Sequence, residues 1–116
     1  MQSLSGTGAL KNGLDFLSKN GYKDLYISNP TWGNHRLLGQ TTGFTVKNYR
    51  YYDAATKSVD FEGIKADLEA APENAVIILH GCAHNPSGCD LNMDQWALLS
   101  NLIKVFHFII SIITLI

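Results

Sequence analysis

Ala75-Val76-Ile77-Ile78-Leu79-His80 is an almost unbroken apolar run that passes straight into the polar segment Gly81-Cys82-Ala83-His84-Asn85. A half-buried strand alternates apolar and polar residues. A run that is apolar at nearly every position suits a strand covered on both faces, as in a parallel sheet. Outward from this run, helical and extended patterns alternate, the order expected of an α/β layer with helices packed on a mostly parallel sheet.

Upstream, Ala9 to Lys19 carries Leu10, Leu14 and Leu17 at i, i+4 and i+7, one apolar stripe of a helix. Ser5 and Thr7 stand before it as caps for its free N–H groups, and Asn20-Gly21 ends it. Leu25 to Ser28 reads as a short strand closed by Asn29-Pro30. A helix from about Thr31 to Thr42 follows, closed by Gly43, and then a strand over Thr45 to Tyr51. Asp60 caps a helix reaching about Ala70, with Phe61, Ile64 and Leu68 on its apolar face and Pro72 beyond its end. Downstream of the run, Asn92 with Gln95 is close to a capping box and opens a helix to Lys104 with Trp96, Leu99 and Ile103 inward.

The last stretch, residues 105–116, reads VFHFIISIITLI, without an acid, glycine or proline. A membrane helix needs ~20 mostly apolar residues, so a membrane is not the expected partner. The Ile and Phe content favours a buried strand or an aggregation-prone tail. The expected division is a partial domain over residues 1–104 and a divergent apolar tail over 105–116.

A chain of 116 residues holds one small domain, and 46% hydrophobic with 16% charged residues is a globular composition. A net charge of -1, with no basic stripe interleaved with aromatics, argues against nucleic acid as a partner. Cys82 and Cys89 make no disulfide framework and read as reduced thiols. The N-terminus has neither the basic and apolar regions of a signal peptide nor the arginines of a transit peptide.

In α/β sheets ligands gather at the carboxyl ends of strands, and the polar segments of this chain fall there. Ser5-Gly6-Thr7-Gly8 allows close backbone approach to an anion and has a helix N-terminus behind it, which suits a phosphate. Taken alone it reads more readily as an ordinary cap with a turn. Trp32, after Asn29-Pro30-Thr31, could stack on a planar ring or serve as a core tryptophan. His84-Asn85-Pro86-Ser87-Gly88 is a tight turn that projects Asn85, an amide able to donate and accept, or else a plain surface turn. His80, Cys82 and His84 share a face if the strand continues, and with Cys89 they invite a zinc reading. Their spacing matches no structural zinc signature, so no metal is expected. Neither a nucleophile-elbow serine nor a Walker-type glycine loop is present.

The segments QSLSGTGAL, NPTWGNH, YRYYD and LHGCAHNPSG followed by DQW, in this order and spacing from Gln2 to about Lys104, resemble the class I pyridoxal-phosphate-dependent aspartate aminotransferases. The resemblance implies part of the large cofactor domain of a fold-type-I aminotransferase, with a mixed, mostly parallel sheet. It implies transfer of an amino group between L-aspartate and 2-oxoglutarate, with dicarboxylic amino and keto acids as ligands and a homodimer as the assembly. On it, Ser5, Gly6 and Thr7 would hold the phosphate of pyridoxal 5'-phosphate, and Trp32 would stack on its ring. Asn85 would bond its phenolic oxygen, and Trp32 and Asn85 would also lie against the substrate. His35 and His80 would stand behind these, around the acid that pairs with the pyridine nitrogen. The turn usually reads HNPTG in that family; Ser87 keeps the hydroxyl.

Past Lys104 the resemblance fades. The strand expected to bear the aspartate reads HFIISIITLI, and the Schiff-base lysine in its Ser-x-x-Lys-Asn setting and the substrate-clamping arginines do not occur. The chain is therefore expected to be inactive alone: a truncated product, a fragment acting only as a partner of intact subunits, or a gene-model artefact. Gly33, YRYYD and Asp60-Phe61-Glu62-Gly63 look closer to the mitochondrial form than to the cytoplasmic one.

Overall fold

The computed structural model describes residues 2–105 and the backbone of residues 109–114. The chain runs α1 (Ser5–Lys19), β1 (Asp24–Asn29), α2 (Gly33–Thr41), β2 (Thr45–Arg50), β3 (Tyr52–Asp53), β4 (Ser58–Val59), α3 (Phe61–Glu69), β5 (Val76–Cys82), α4 (Met93–Val105) and β6 (Ile109–Thr114). Four strands form one sheet in the order β2-β1-β5-β6, and its described pairings are all parallel. The antiparallel pair β3-β4 is a separate small ribbon, for which the sequence offered no clear pattern.

The AVIILH run is apolar throughout because its alternate residues serve two cores. Val76 and Ile78 face α1, joining Leu10, Leu14, Leu25 and Ile27. Ile77 and Leu79 face the opposite side, with Ile64 and Leu68 of α3 and Leu99 and Ile103 of α4. Side chains on a strand point alternately to its two faces, so each face receives half of the run. α2 comes close to the sheet through Gly39, where a β-carbon would lie 2.5 Å from Leu25 Cδ2 and 2.8 Å from Val46 Cγ2.

Two expected caps form as read. Asp60 Oδ1 accepts the Gly63 N–H at 2.8 Å, and Asn92 and Gln95 exchange reciprocal bonds of 2.9 Å at the start of α4. The start of α1 differs. The helix begins at Ser5 rather than Ala9, with Leu4 at the N-cap position and no side-chain cap, so Ser5 and Thr7 lie inside its first turn. α2 begins at Gly33 rather than Thr31, because the Thr31 hydroxyl bonds His35 Nδ1 (2.7 Å) instead of a backbone N–H.

The apolar stretch after α4 supplies β6, which pairs with β5 so that Ile113 stands opposite His80. The remaining residues of that stretch, 106–108 and 115–116, lie outside the described residues. Among the described residues no helix is long and apolar enough to cross a membrane.

Candidate functional site

The first turn of α1, the loop after β1 and the end of β5 meet at the carboxyl edge of the sheet. They enclose a cavity of about 260 Å³ lined by Ser5, Gly6, Thr7, Leu10, Trp32, His35 and His80. With His35 supplied by the first turn of α2, four separate stretches thus bring six of the singled-out residues to one place. The first intrahelical bond of α1 runs from Gly8 N–H to the Leu4 carbonyl, so the N–H groups of Ser5, Gly6 and Thr7 have no acceptor within the helix. With no acidic residue in that turn, the helix dipole there is unopposed. Trp32 is half-buried and borders the cavity, so it is not a core tryptophan.

Behind the cavity runs a row of rings. The Trp32 and His35 ring centres are 5.4 Å apart, His35 and His80 5.1 Å, and His80 and His84 4.4 Å. All three imidazoles are buried. Burial lowers the pKa of His35 to about 4, with neighbouring His80 adding to the effect, and burial likewise lowers His84 to about 4. His80 is lowered too, chiefly by burial, against the opposing pull of Asp90. The row is therefore neutral at neutral pH. His80 Nδ1 accepts the Asn85 N–H at 3.3 Å, so the ring proton of neutral His80 sits on Nε2. That Nε2–H is buried and has no acceptor among the described residues.

Asn85 does not line the cavity, and its tie to the site is the bond to His80. The turn that carries it is closed by Asp90, whose two carboxylate oxygens accept the N–H groups of Ala83 and His84 at 2.9 Å each. His80 and His84 come together, but Cys82 does not join them and is exposed, because the β5–β6 register shifts between His80 and Cys82 and Ala83 turns the chain with φ 51°. Among the described residues no group of three His, Cys, Asp or Glu is placed to hold a metal.

A family model for aminotransferase class I and II matches residues 1–112. The chain belongs to this aminotransferase family. Aspartate aminotransferase, cytoplasmic, of Caenorhabditis elegans is 53% identical over 106 residues, covering 90% of this chain and 26% of the relative. Aspartate aminotransferase, mitochondrial, of Schizosaccharomyces pombe is 47% identical over 109 residues, covering 92% and 25%. Among solved structures, an aromatic-amino-acid aminotransferase from Burkholderia pseudomallei covalently bound to pyridoxal phosphate superposes with a TM-score of 0.93 at 42% identity, over 97% of this chain and 28% of that one. The aminotransferase chain thus spans about a quarter of the length of the curated relatives it matches. Its fold is that of part of the α/β cofactor domain of fold-type-I aminotransferases, as the sequence led one to expect.

Sequence reasoning missed the supports of this site. Ser28, Tyr51 and Asp90 all hold the turn of the aminotransferase chain at His84; Tyr51 stood out only as part of YRYYD, and Ser28 and Asp90 were given no part in the site. The one signal available was Ser28, a hydroxyl that directly follows Leu25-Tyr26-Ile27 at the end of a strand and is buried with them.

Proposed function

We propose that this chain is the cofactor-binding segment of an aspartate aminotransferase, which moves an amino group between L-aspartate and 2-oxoglutarate. The observation that carries the reading is the convergence of Ser5, Gly6, Thr7, Trp32, His35 and His80 on one cavity. The N–H groups of Ser5, Gly6 and Thr7, which have no acceptor within α1, suit the phosphate of pyridoxal 5'-phosphate. Trp32 offers a rigid face to its ring. Asn85 would meet its phenolic oxygen and the substrate carboxylate, and the neutral His35 and His80 would stand behind the ring. The Nε2–H of His80, without an acceptor among the described residues, would suit the acid that pairs with the pyridine nitrogen. When bound, pyridoxal phosphate supplies the electron sink for amino transfer.

The 116-residue chain by itself is read as binding without turnover. The β6 sequence IISIIT brings no carboxylate, and no Ser-x-x-Lys-Asn occurs in the sequence. A second reading is a role as a partner of intact subunits of the family's homodimer, which co-purification with such subunits would test. The compartment is read as mitochondrial from Gly33 and the YRYYD segment, with the cytoplasm as the alternative; imaging of a fluorescent fusion distinguishes them.

The decisive experiment is titration of the purified chain with pyridoxal phosphate, followed by tryptophan emission. Saturable quenching is expected. Trp32→Ala should weaken binding about tenfold, the loss of one aromatic stack, as judged by the cofactor's own absorbance. Absence of saturable binding overturns the reading. Aspartate-to-oxoglutarate transfer well above a free-cofactor control would leave the binding site standing and refute inactivity of the chain alone.

A further inference from the structure

We propose that His84 is a positioning residue that clamps the turn from Ala83 to Asp90 onto the sheet and so fixes where Asn85 points. The inference rests on the reading of Asn85 as a ligand of the cofactor's oxygen. His84 is 2% exposed and is held on three sides. Nε2 bonds Ser28 Oγ of β1 at 2.9 Å, and Nδ1 bonds Ser87 Oγ, on the far side of its own turn, at 2.7 Å. One ring face stacks on Tyr51 at 3.7 Å between centres, and the Tyr51 hydroxyl in turn donates to the Cys89 carbonyl at 2.7 Å.

The backbone of the turn is tied as closely. The Gly88 N–H donates to the His84 carbonyl at 2.7 Å, with Gly88 at φ +69°, which favours glycine. Asp90 caps the N–H groups of Ala83 and His84, and the Asn85 N–H goes to His80. Asn85 thus leaves a residue locked to β1, to Ser87 and to Tyr51. A plain surface turn needs none of these ties, since water would satisfy its polar groups. Neither His84 nor Asn85 lines the cavity; His80, which does, lies 4.4 Å from the His84 ring between centres and accepts the Asn85 N–H, so the route through Asn85 is what the double variant below tests.

Two measurements test this. The first uses ligand-free chain and amide hydrogen exchange read by NMR. Ser87→Ala removes the Nδ1 partner and should speed exchange at Asn85 and Gly88 about fivefold, leaving Val76 to Leu79 unchanged. Ser87→Thr keeps the hydroxyl and should restore protection. His84→Ala should give a larger effect, and Ser87→Ala decides the matter if that variant does not fold. Unchanged exchange at Asn85 overturns the proposal, whatever the ligand does.

The second measures affinity for pyridoxal phosphate and, separately, for inorganic phosphate. Ser87→Ala and Asn85→Ala should each weaken pyridoxal phosphate binding about fivefold, and the double variant should be no weaker than Asn85→Ala alone. Inorganic phosphate binding should not change. Additive losses, or weakened phosphate binding in Ser87→Ala, would mean that the clamp does not act through Asn85 and would overturn the proposal. If Asn85→Ala leaves pyridoxal phosphate binding intact, the ligand reading of Asn85 fails, and the exchange measurement still decides the clamp.

Discussion

At the scale of single residues, the buried imidazoles set the response of the protein to acid. A histidine in an unfolded chain titrates near 6.5, whereas His35 and His84 titrate near 4 in the fold. Between these values the unfolded chain takes up protons that the folded chain does not. Stability is therefore full above pH 6.5, falls as pH is lowered toward 4, and loses nothing more from these two groups below that. Asp67 and Asp90 act lower still. The Arg50 guanidinium holds Asp67, and the backbone N–H groups of His84 and Ala83 hold Asp90, below the ordinary carboxylate value of 3.8. Their contributions are present above that value and lost only as pH falls beneath it. The urea midpoint should thus decline between pH 6.5 and 4, and His84→Gln should shallow that decline. A midpoint flat across this window would contradict the assignment. Trp32 and His35 were legible as members of one short motif. The bond from His84 to Ser28 was not, because 56 residues separate the partners.

At the scale of elements, local chemistry was read well where a side chain satisfies its own backbone. Asp60 and the Asn92–Gln95 pair cap their helices as expected, since each partner lies three residues away. The first turn of α1 resisted the same reasoning: its serine and threonine look like caps, but the helix starts at Ser5 and leaves their N–H groups without an acceptor inside it. Nothing local tells a capped turn from an anion cradle, because both use small hydroxyl residues before an apolar stripe. The seat of α2 on the sheet gives the prediction proper to this scale. Gly39→Ala would thrust a methyl group against Leu25 and Val46, both on strands buried beneath the helix. Overpacking of this kind costs about 1–3 kcal/mol and should appear as a lowered thermal midpoint. An unchanged midpoint would mean that α2 rides further from the sheet.

At the scale of the whole molecule, the sheet separates two cores. Leu14 of α1 and Leu99 of α4 are both fully buried and belong to opposite faces. Each change to alanine should cost about 2–5 kcal/mol, the range for a large side chain removed from a packed interior. With the sheet between them they share no partner, so the double variant should lose the sum to within about 0.5 kcal/mol in chemical denaturation. A clear departure from additivity would show that the two layers relax together. This sandwich also places the site: the first turn of α1, the end of β1 and the end of β5 lie at one edge because the parallel strands all finish there.

The residues alone determined the class of fold, the order of its main elements and the family, because periodicity, caps and the ordered motifs are written within a few positions of one another. They also singled out six of the seven residues that line the cavity, together with Asn85, which does not, though any one motif taken singly was better explained by an ordinary turn or a core side chain. Tertiary structure decided the rest. It set the two-faced burial of the AVIILH run, the neutral ring row from His35 to His84, a proton on His80 Nε2 with no acceptor among the described residues, and the bond from Ser28 to the turn that bears Asn85. Each of these depends on which distant segments the parallel sheet brings side by side, and on water being excluded once they meet.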